Sequence, residues 1–322
     1  MRALLIEELG RPPRLVDVDE PTPAPAEALL RIVAAPLNPV DVAIATGRSF
    51  AGHPRLPYIP GVEAVARVEG EDSKALGRLV YTCLHGLGTS RDGSCAELAT
   101  APRDRLIPVP EGVDPGVAAA LGTVGLAAWL PLTWRAPLSP GENVLVLGAT
   151  GTVGLIAVQA ARLLGASRVV AAGRRREGLE RAVRYGADAT VELVDSTTLA
   201  DSFRRACGSE GPTLVFDSVW GEPVVAALEA AAPRARIIQL GQAAGANALV
   251  PSALIRGKDL DILGYTNFNV PFEVLAEGYR QLGEHVRQGR IVLEIENVSL
   301  EDGVSAWKRL QAGAEGKLVI RP

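Results

Sequence analysis

"NVLVLGATGTVGLIAVQAARLLGASRVVAAGRRR", Asn143 to Arg176, decides how the rest of the 322-residue chain is read. Val144–Leu147 is an apolar strand pattern. Gly148, Gly151 and Gly154 follow it, and then a long apolar helix pattern. Glycine lets the chain turn sharply and lets backbone N–H groups approach a pyrophosphate; a helix N-terminus adds partial positive charge at that point. The spacing is GxxGxxG, with Ala149 where the strict GxGxxG pattern has its first glycine. The second apolar run closes at Gly173, 22 positions after Gly151, about where a dinucleotide fold reads the adenosine ribose. An NAD site needs a carboxylate there, to accept from the ribose hydroxyls. Here glycine stands in that place and Arg174, Arg175 and Arg176 follow. Nothing repels a 2′-phosphate, and a guanidinium pairs with one bidentately. The stretch therefore predicts NADP(H) over NAD(H). The competing reading, an exposed basic turn, sets positive charge against the helix dipole.

Strand and helix patterns alternate outward from this point. Val144–Leu147, Arg168–Ala172, Thr213–Asp217, Arg236–Leu240 and Asp261–Tyr265 read as strands. Gly151–Leu164, Glu177–Tyr185, Ser196–Cys207 and Pro223–Ala231 read as the helices between them. That order predicts an α/β unit with a doubly wound parallel sheet. Before it the chain is rich in proline, with short β-branched runs at Ala28–Asn38, Glu63–Gly70 and Gly77–Leu84, which predicts a turn-rich barrel or sandwich. After it come a helix (Val274–Gln288), a strand (Ile291–Val298), a helix (Leu300–Ala312) and the closing strand "KLVIRP".

Composition sets the class. With 48% apolar and 22% charged residues, the chain reads as an ordinary soluble globular protein. A net charge of −4 gives no reason to expect nucleic acid or anionic membrane as a partner. "MRALLIEELG" turns acidic after four apolar residues and makes a poor signal peptide. Val117–Leu130 is too short to span a bilayer and reads as a buried helix. Three cysteines without a framework spacing fit a reducing compartment, hence the cytoplasm. Of 33 basic residues 29 are arginine, an association with GC-rich bacterial genomes.

The chain resembles the medium-chain dehydrogenase/reductase superfamily, in its zinc-free quinone oxidoreductase branch. The likeness is carried by "LNPVDVAIATGR" (Leu37–Arg48), "PYIPGVEAVARV" (Pro57–Val68) and "GSCAELATAPRDRLIPVPEGV" (Gly93–Val113). The glycine stretch, "VFDSVWG" (Val215–Gly221), "RIIQLGQ" (Arg236–Gln242) and "GKLVI" (Gly316–Ile320) complete seven collinear matches. The resemblance implies a GroES-like β domain from residues 1–116 and 266–322, and a Rossmann domain from 117–265. It implies NADP(H) in a cleft between them, a small-molecule acceptor and a homodimer. Its cofactor contacts would be Ala149, Thr150, Gly151, Thr152, Val153 and Gly154 at the glycine turn. Gly173, Arg174 and Arg175 would follow at the ribose, with Ser218, Leu240, Gly241, Gln242, Tyr265 and Lys317 beyond. Asn38, Asp41, Phe50 and Thr123 would line the acceptor side. Each has a plainer alternative: a turn at Asn38-Pro39, a helix cap at Asp41, core packing at Phe50, a bond within its own helix at Thr123.

Zinc-dependent members carry a catalytic cysteine, a Gly-His-Glu segment and a four-cysteine lobe. Here the segment is Gly61-Val62-Glu63, Asn38 and Asp41 lie near the place of the cysteine, and Cys83, His85 and Cys95 fit no usual zinc spacing. Without a Lewis acid, hydride transfer to a quinone or activated enone is the expected chemistry, because the acceptor is already electrophilic. Enoyl-thioester reductases of the superfamily have a tyrosine donor shortly after the LNxxD segment. Phe50 stands there, which leaves Tyr58 or water. The expected function is NADPH-dependent quinone reduction. An enone or enoyl reductase of a dedicated metabolite is the alternative, and a non-catalytic NADPH-binding protein is the reading from another class.

Overall fold

The computed structural model describes residues 1–49, 52–70, 79–83, 86–194, 196–313 and 316–322. The chain divides into two compact units. One comprises Met1–Val124, Phe272–Gln288 and Leu293–Pro322; the other comprises Gly125–Pro271 and Gly289–Val292.

The first unit is built on the long strand Glu27–Pro36, whose residues alternate between buried and less buried as far as Ala34 and are buried from there on. It pairs antiparallel with Glu63–Val68, Leu98–Pro102 and the closing strand Lys317–Arg321. Val80–Cys83, Ile107–Pro108 and Ile295–Ser299 complete a seven-stranded mixed sheet, and Arg2–Leu5 pairs with Arg14–Asp17 apart from it. Leu30, Ile32, Val62, Ala66, Trp307 and Ile320 belong to one buried apolar cluster. Val319 opposes Pro36 in the closing pair. That register carries Lys317 to the start of the helix Pro39–Ala45, so the last strand delivers its amine to Leu37 and Asn38.

The second unit holds six parallel strands in the order Ala189–Glu192, Arg168–Gly173, Asn143–Leu147, Leu214–Asp217, Arg236–Gln239, Asp261–Gly264. The sheet winds outward both ways from Asn143–Leu147, the doubly wound topology whose ligands bind beyond the carboxyl ends of the strands. Five of these strands match the sequence expectation. Ala189–Glu192 was not foreseen: it is an edge strand with only Val191 buried, so it shows neither an apolar run nor a clean alternation. The strand expected at Ile291–Val298 begins later, at Ile295. Val292 is held elsewhere, its backbone bonded to both ends of the Gln159 amide at 2.7 and 3.0 Å. The helix Pro115–Arg135 is long and apolar enough to cross a membrane, but 78% of its apolar window is buried inside the protein.

Candidate functional site

Register places the glycine turn and its companions at one end of the parallel sheet. Leu147 opposes Ala172 and Asp217, Asp217 opposes Gln239, and Gln239 opposes Gly264. The segments that leave these ends carry Gly148–Gly154, Arg174 and Arg175, Ser218, Leu240–Gln242 and Tyr265. The structure thus brings together every expected cofactor residue of this unit.

The turn is built by close approach. Gly148 has φ +83°, and a Cβ there would lie 2.2 Å from Ser218 Oγ. The Gly148 and Ala149 N–H groups both donate to Ala172 O at 2.9 Å, and Ser218 Oγ donates to Leu147 O at 2.9 Å. A Cβ on Gly154 would lie 2.3 Å from Gly148 O, so glycine there seats the helix Thr152–Leu163 against the turn. Gly151 differs. Its φ is −91°, its nearest neighbour to an added Cβ is 3.7 Å away, and it is exposed. Any residue adopts that angle, and the space in front of it is open. The helix behind it has no side-chain cap, which leaves first-turn N–H groups for an anion. This arrangement fits a pyrophosphate.

At the ribose end, Arg175 Nη2 donates to Thr150 O at 3.2 Å and Arg176 faces Glu192 at 3.4 Å. Arg174 lines a groove with Leu193, Val219, Gly221, Glu222 and Asn247. Glu222 and Asn247 were missed in the sequence, where neither stands in a motif. Asp217, which ends the strand leading to Val219 and Gly221, is fully buried. Its Oδ1 accepts from the N–H groups of Val219 and Trp220, both at 2.9 Å, and holds Trp220 at φ +56°. Burial pushes its carboxyl up to about 6 against those two bonds. Tyr265 Oη donates to Asn267 Oδ1 at 2.6 Å.

The first unit contains a buried polar cluster of Asn38, Asp41, Glu63 and Lys317. Lys317 Nζ donates to Leu37 O at 3.0 Å and to Asn38 Oδ1. Asn38 Nδ2 donates to Glu63 Oε1 at 2.8 Å. Glu63 Oε2 accepts from Tyr81 Oη at 2.8 Å and from the Thr123 N–H at 2.6 Å. Asp41 accepts from the N–H groups of Asn38 and Val62, at 2.7 and 3.0 Å. Burial pushes Asp41 up to about 7 against those bonds and Lys317; burial also lowers the Lys317 amine. Asn38 and Thr123 thus meet through Glu63, a residue the sequence reading did not single out, and Lys317 joins them through Asn38. Phe50 lies outside the described residues. Tyr58 is buried at 1% exposure, and burial raises its pKa.

The cluster does not suit zinc. Val62 offers no ligand atom, the Asp41 oxygens take backbone N–H groups, and an ammonium already sits on Asn38. Among the described residues no group of three or more His, Cys, Asp or Glu could hold a metal ion. Cys83 and Cys95 are buried, and His85 lies outside the described residues.

Comparison with known proteins places this geometry in context. The alcohol dehydrogenase GroES-like domain matches residues 24–111, and the zinc-binding dehydrogenase domain matches residues 152–282. Quinone oxidoreductase-like protein 2 of Mus musculus is 30% identical, over 82% of this chain and 74% of its own length. The quinone oxidoreductase of Thermus thermophilus, whose structure is also known in complex with NADPH, is 31% identical with a TM-score of 0.79 over 100% of both chains. A phenolphthiocerol/phthiocerol polyketide synthase of Mycobacterium tuberculosis is 30% identical across 99% of this chain, which spans only 15% of that protein.

Proposed function

Since the chain belongs to the medium-chain dehydrogenase/reductase superfamily, among its quinone oxidoreductase-like members, we propose that it is an NADPH-dependent, zinc-independent reductase of quinones or similar electron-poor acceptors. The observation that carries the reading is the ribose end of the groove, where glycine replaces an acid and Arg174 stands beside it. The N–H groups at Gly151–Gly154 would hold the pyrophosphate. Arg174 and Arg175 would hold the 2′-phosphate, and Ser218, Leu240, Gly241, Gln242 and Tyr265 would border the rest. The bound cofactor supplies the hydride.

On this reading Thr123 faces the acceptor, and Phe50 is the acceptor-side residue at which the family resemblance expects a proton donor. Buried Asn38 and Glu63 fix the Thr123 backbone, and Asp41 and Lys317 in turn fix Asn38. A quinone accepts hydride to form a delocalised oxyanion that water protonates later. A simple ketone forms a localised alkoxide, which needs a Lewis acid or a positioned donor as charge develops. The match to a segment of polyketide synthases favours a second reading, an enone or enoyl acceptor. Phe50→Tyr separates the two: a donor restored there raises turnover of enoyl thioesters and leaves quinones little changed.

NADPH oxidation measured over a panel of quinones, enones, enoyl thioesters and simple ketones tests the proposal. Quinone turnover with negligible ketone activity is expected, by a protein free of zinc in elemental analysis. Robust ketone reduction, or one tightly bound zinc per chain, overturns it. A homodimer in the cytoplasm completes the proposal, and light scattering of the purified protein reads the oligomeric state.

A further inference from the structure

A cofactor preference written as glycine and arginine leaves open what keeps an acid out of position 173. The obstacle is a neighbouring side chain. A Cβ built on Gly173 would lie 2.3 Å from Thr150 Cγ2, 3.1 Å from its Oγ1 and 3.2 Å from its Cβ. A Cβ built on Gly178, in the helix Arg176–Arg184, would lie 2.5 Å from Thr150 Cβ and 2.8 Å from Cγ2. Thr150 is itself buried, wedged between the end of one strand and the first turn of the next helix. Threonine carries two heavy atoms on Cβ, so two of its three χ1 rotamers turn a heavy atom toward a given side, and no rotation moves Thr150 Cβ itself away from 173 and 178. Its backbone faces the same end, because Thr150 O takes the Arg175 guanidinium at 3.2 Å.

The geometry points to Thr150 as the specificity-determining residue at the ribose end of the proposed NADPH site. Its side chain fills the volume that any side chain at 173 would need. Its carbonyl draws one arginine toward the phosphate-binding turn. A dinucleotide without a 2′-phosphate therefore meets neither a carboxylate for its ribose hydroxyls nor room to install one. Position 173 alone does not control the choice; the pair 150 and 173 does. The inference rests on the proposed cofactor and concerns how this chain selects it.

Four variants test it: Gly173→Ala, Gly173→Asp, Thr150→Ala/Gly173→Ala and Thr150→Ala/Gly173→Asp. Affinity for NADPH and NADH is read by fluorescence titration, and folding by thermal melts. Gly173→Ala adds no charge, yet it should weaken NADPH about tenfold or lower the melting temperature, and Thr150→Ala in the same chain should recover most of the loss. Gly173→Asp alone should lose NADPH without gaining NADH. The Thr150→Ala/Gly173→Asp chain should bind NADH about tenfold tighter than Gly173→Asp does. A Gly173→Ala protein that will not fold, beside a folded Thr150→Ala/Gly173→Ala protein, supports the coupling equally. Gly173→Ala indistinguishable from wild type overturns it. So does Gly173→Asp binding NADH as well as the double variant. Wild type that binds neither dinucleotide defeats the proposed function instead, while the melts still decide whether 150 and 173 are coupled.

Discussion

Glu63 Oε2 accepts the backbone N–H of Thr123 at 2.6 Å, inside the π-helical stretch Leu121–Gly125. The same oxygen accepts from Tyr81 Oη, and Gly122 allows the approach: a Cβ there would lie 1.9 Å from Tyr81 Oη and 2.2 Å from Glu63 Oε2. Tyr81 stacks on Tyr279 with ring centroids 4.3 Å apart, and Tyr279 Oη donates to Ala118 O at 2.9 Å. One carboxylate and one tyrosine thus grip this helix by its backbone, with Tyr81 bonded to the first and stacked on the second, where a π-helical turn loosens the regular ladder.

Removing the carboxylate should be costly. Glu63→Leu leaves Tyr81 Oη, the Thr123 N–H and one Asn38 N–H without their acceptor in a buried site, a loss on the order of 3 kcal/mol. Glu63→Gln keeps the volume but turns one acceptor into a donor that faces donors, and should cost about 1–3 kcal/mol. Denaturant melts read both. Stability unchanged in Glu63→Leu would show that the carboxylate does not hold the helix.

Two glycines of one turn should answer differently to the same substitution. Gly151→Val keeps the fold, since nothing lies nearer than 3.7 Å to the new Cβ, and abolishes NADPH binding by filling the open space at the helix N-terminus. Gly154→Val drives a side chain into Gly148 O and Ala149 Cα, and should destabilise the unit itself. Melting curves with and without NADPH separate the two. Tight NADPH binding by Gly151→Val would place the nucleotide elsewhere.

The arginines carry the charge of the proposed ribose end. Arg174→Ala should weaken NADPH by about 1.5–3 kcal/mol for a lost charged hydrogen bond, with NADH nearly unchanged. Arg175→Ala should do the same and also free Thr150 O. Titration of both dinucleotides at two salt concentrations checks this, because a phosphate contact is screened and a packing effect is not. Equal loss for NADPH and NADH would remove the arginines from the 2′-phosphate.

The parallel unit was legible because its strands are apolar runs broken by glycine and its helices are long. Ala189–Glu192 was not, having one buried side chain on a sheet edge. The turn was legible as three glycines, but not what each is for. Gly154 serves helix packing, Gly148 a left-handed turn beside Ser218, and Gly151 an opening. Spacing cannot separate these, because the neighbours that decide them lie far along the chain. The polar cluster was hardest. Asn38, Asp41, Thr123 and Lys317 came from likeness to a family, and Glu63, which joins Asn38 to Thr123, lies in a run that reads as an ordinary strand. Lys317 was expected at the cofactor; its amine is bonded to Leu37 O and Asn38 Oδ1. An amine that meets an amide 279 residues away leaves no local trace.

Asp217 gives the sharpest test by pH. Its carboxyl stands at about 6 in the folded chain, against an ordinary value of 3.8, because burial outweighs the two N–H groups on Oδ1. The folded state therefore holds this proton where the unfolded chain has released it. Its contribution is complete below about 4 and is lost as pH rises through about 6. Oδ2 is buried and meets no hydrogen-bond partner among the described residues. Asp217→Asn keeps an oxygen for Val219 and Trp220, and puts a neutral amide where a buried charge stood. At pH 8 it should be more stable than wild type, by on the order of 1–3 kcal/mol, and at pH 4 close to it. Asp217→Ala removes the acceptor as well. It should be destabilised at both pH values, since the Val219 and Trp220 N–H groups lose the acceptor that helps to hold Trp220 at φ +56°. Melts of the three proteins across pH 4–8 decide the matter. An Asp217→Asn protein less stable than wild type at pH 8 would mean that Oδ2 has an acceptor's role, and that the ionised form is the one the fold requires.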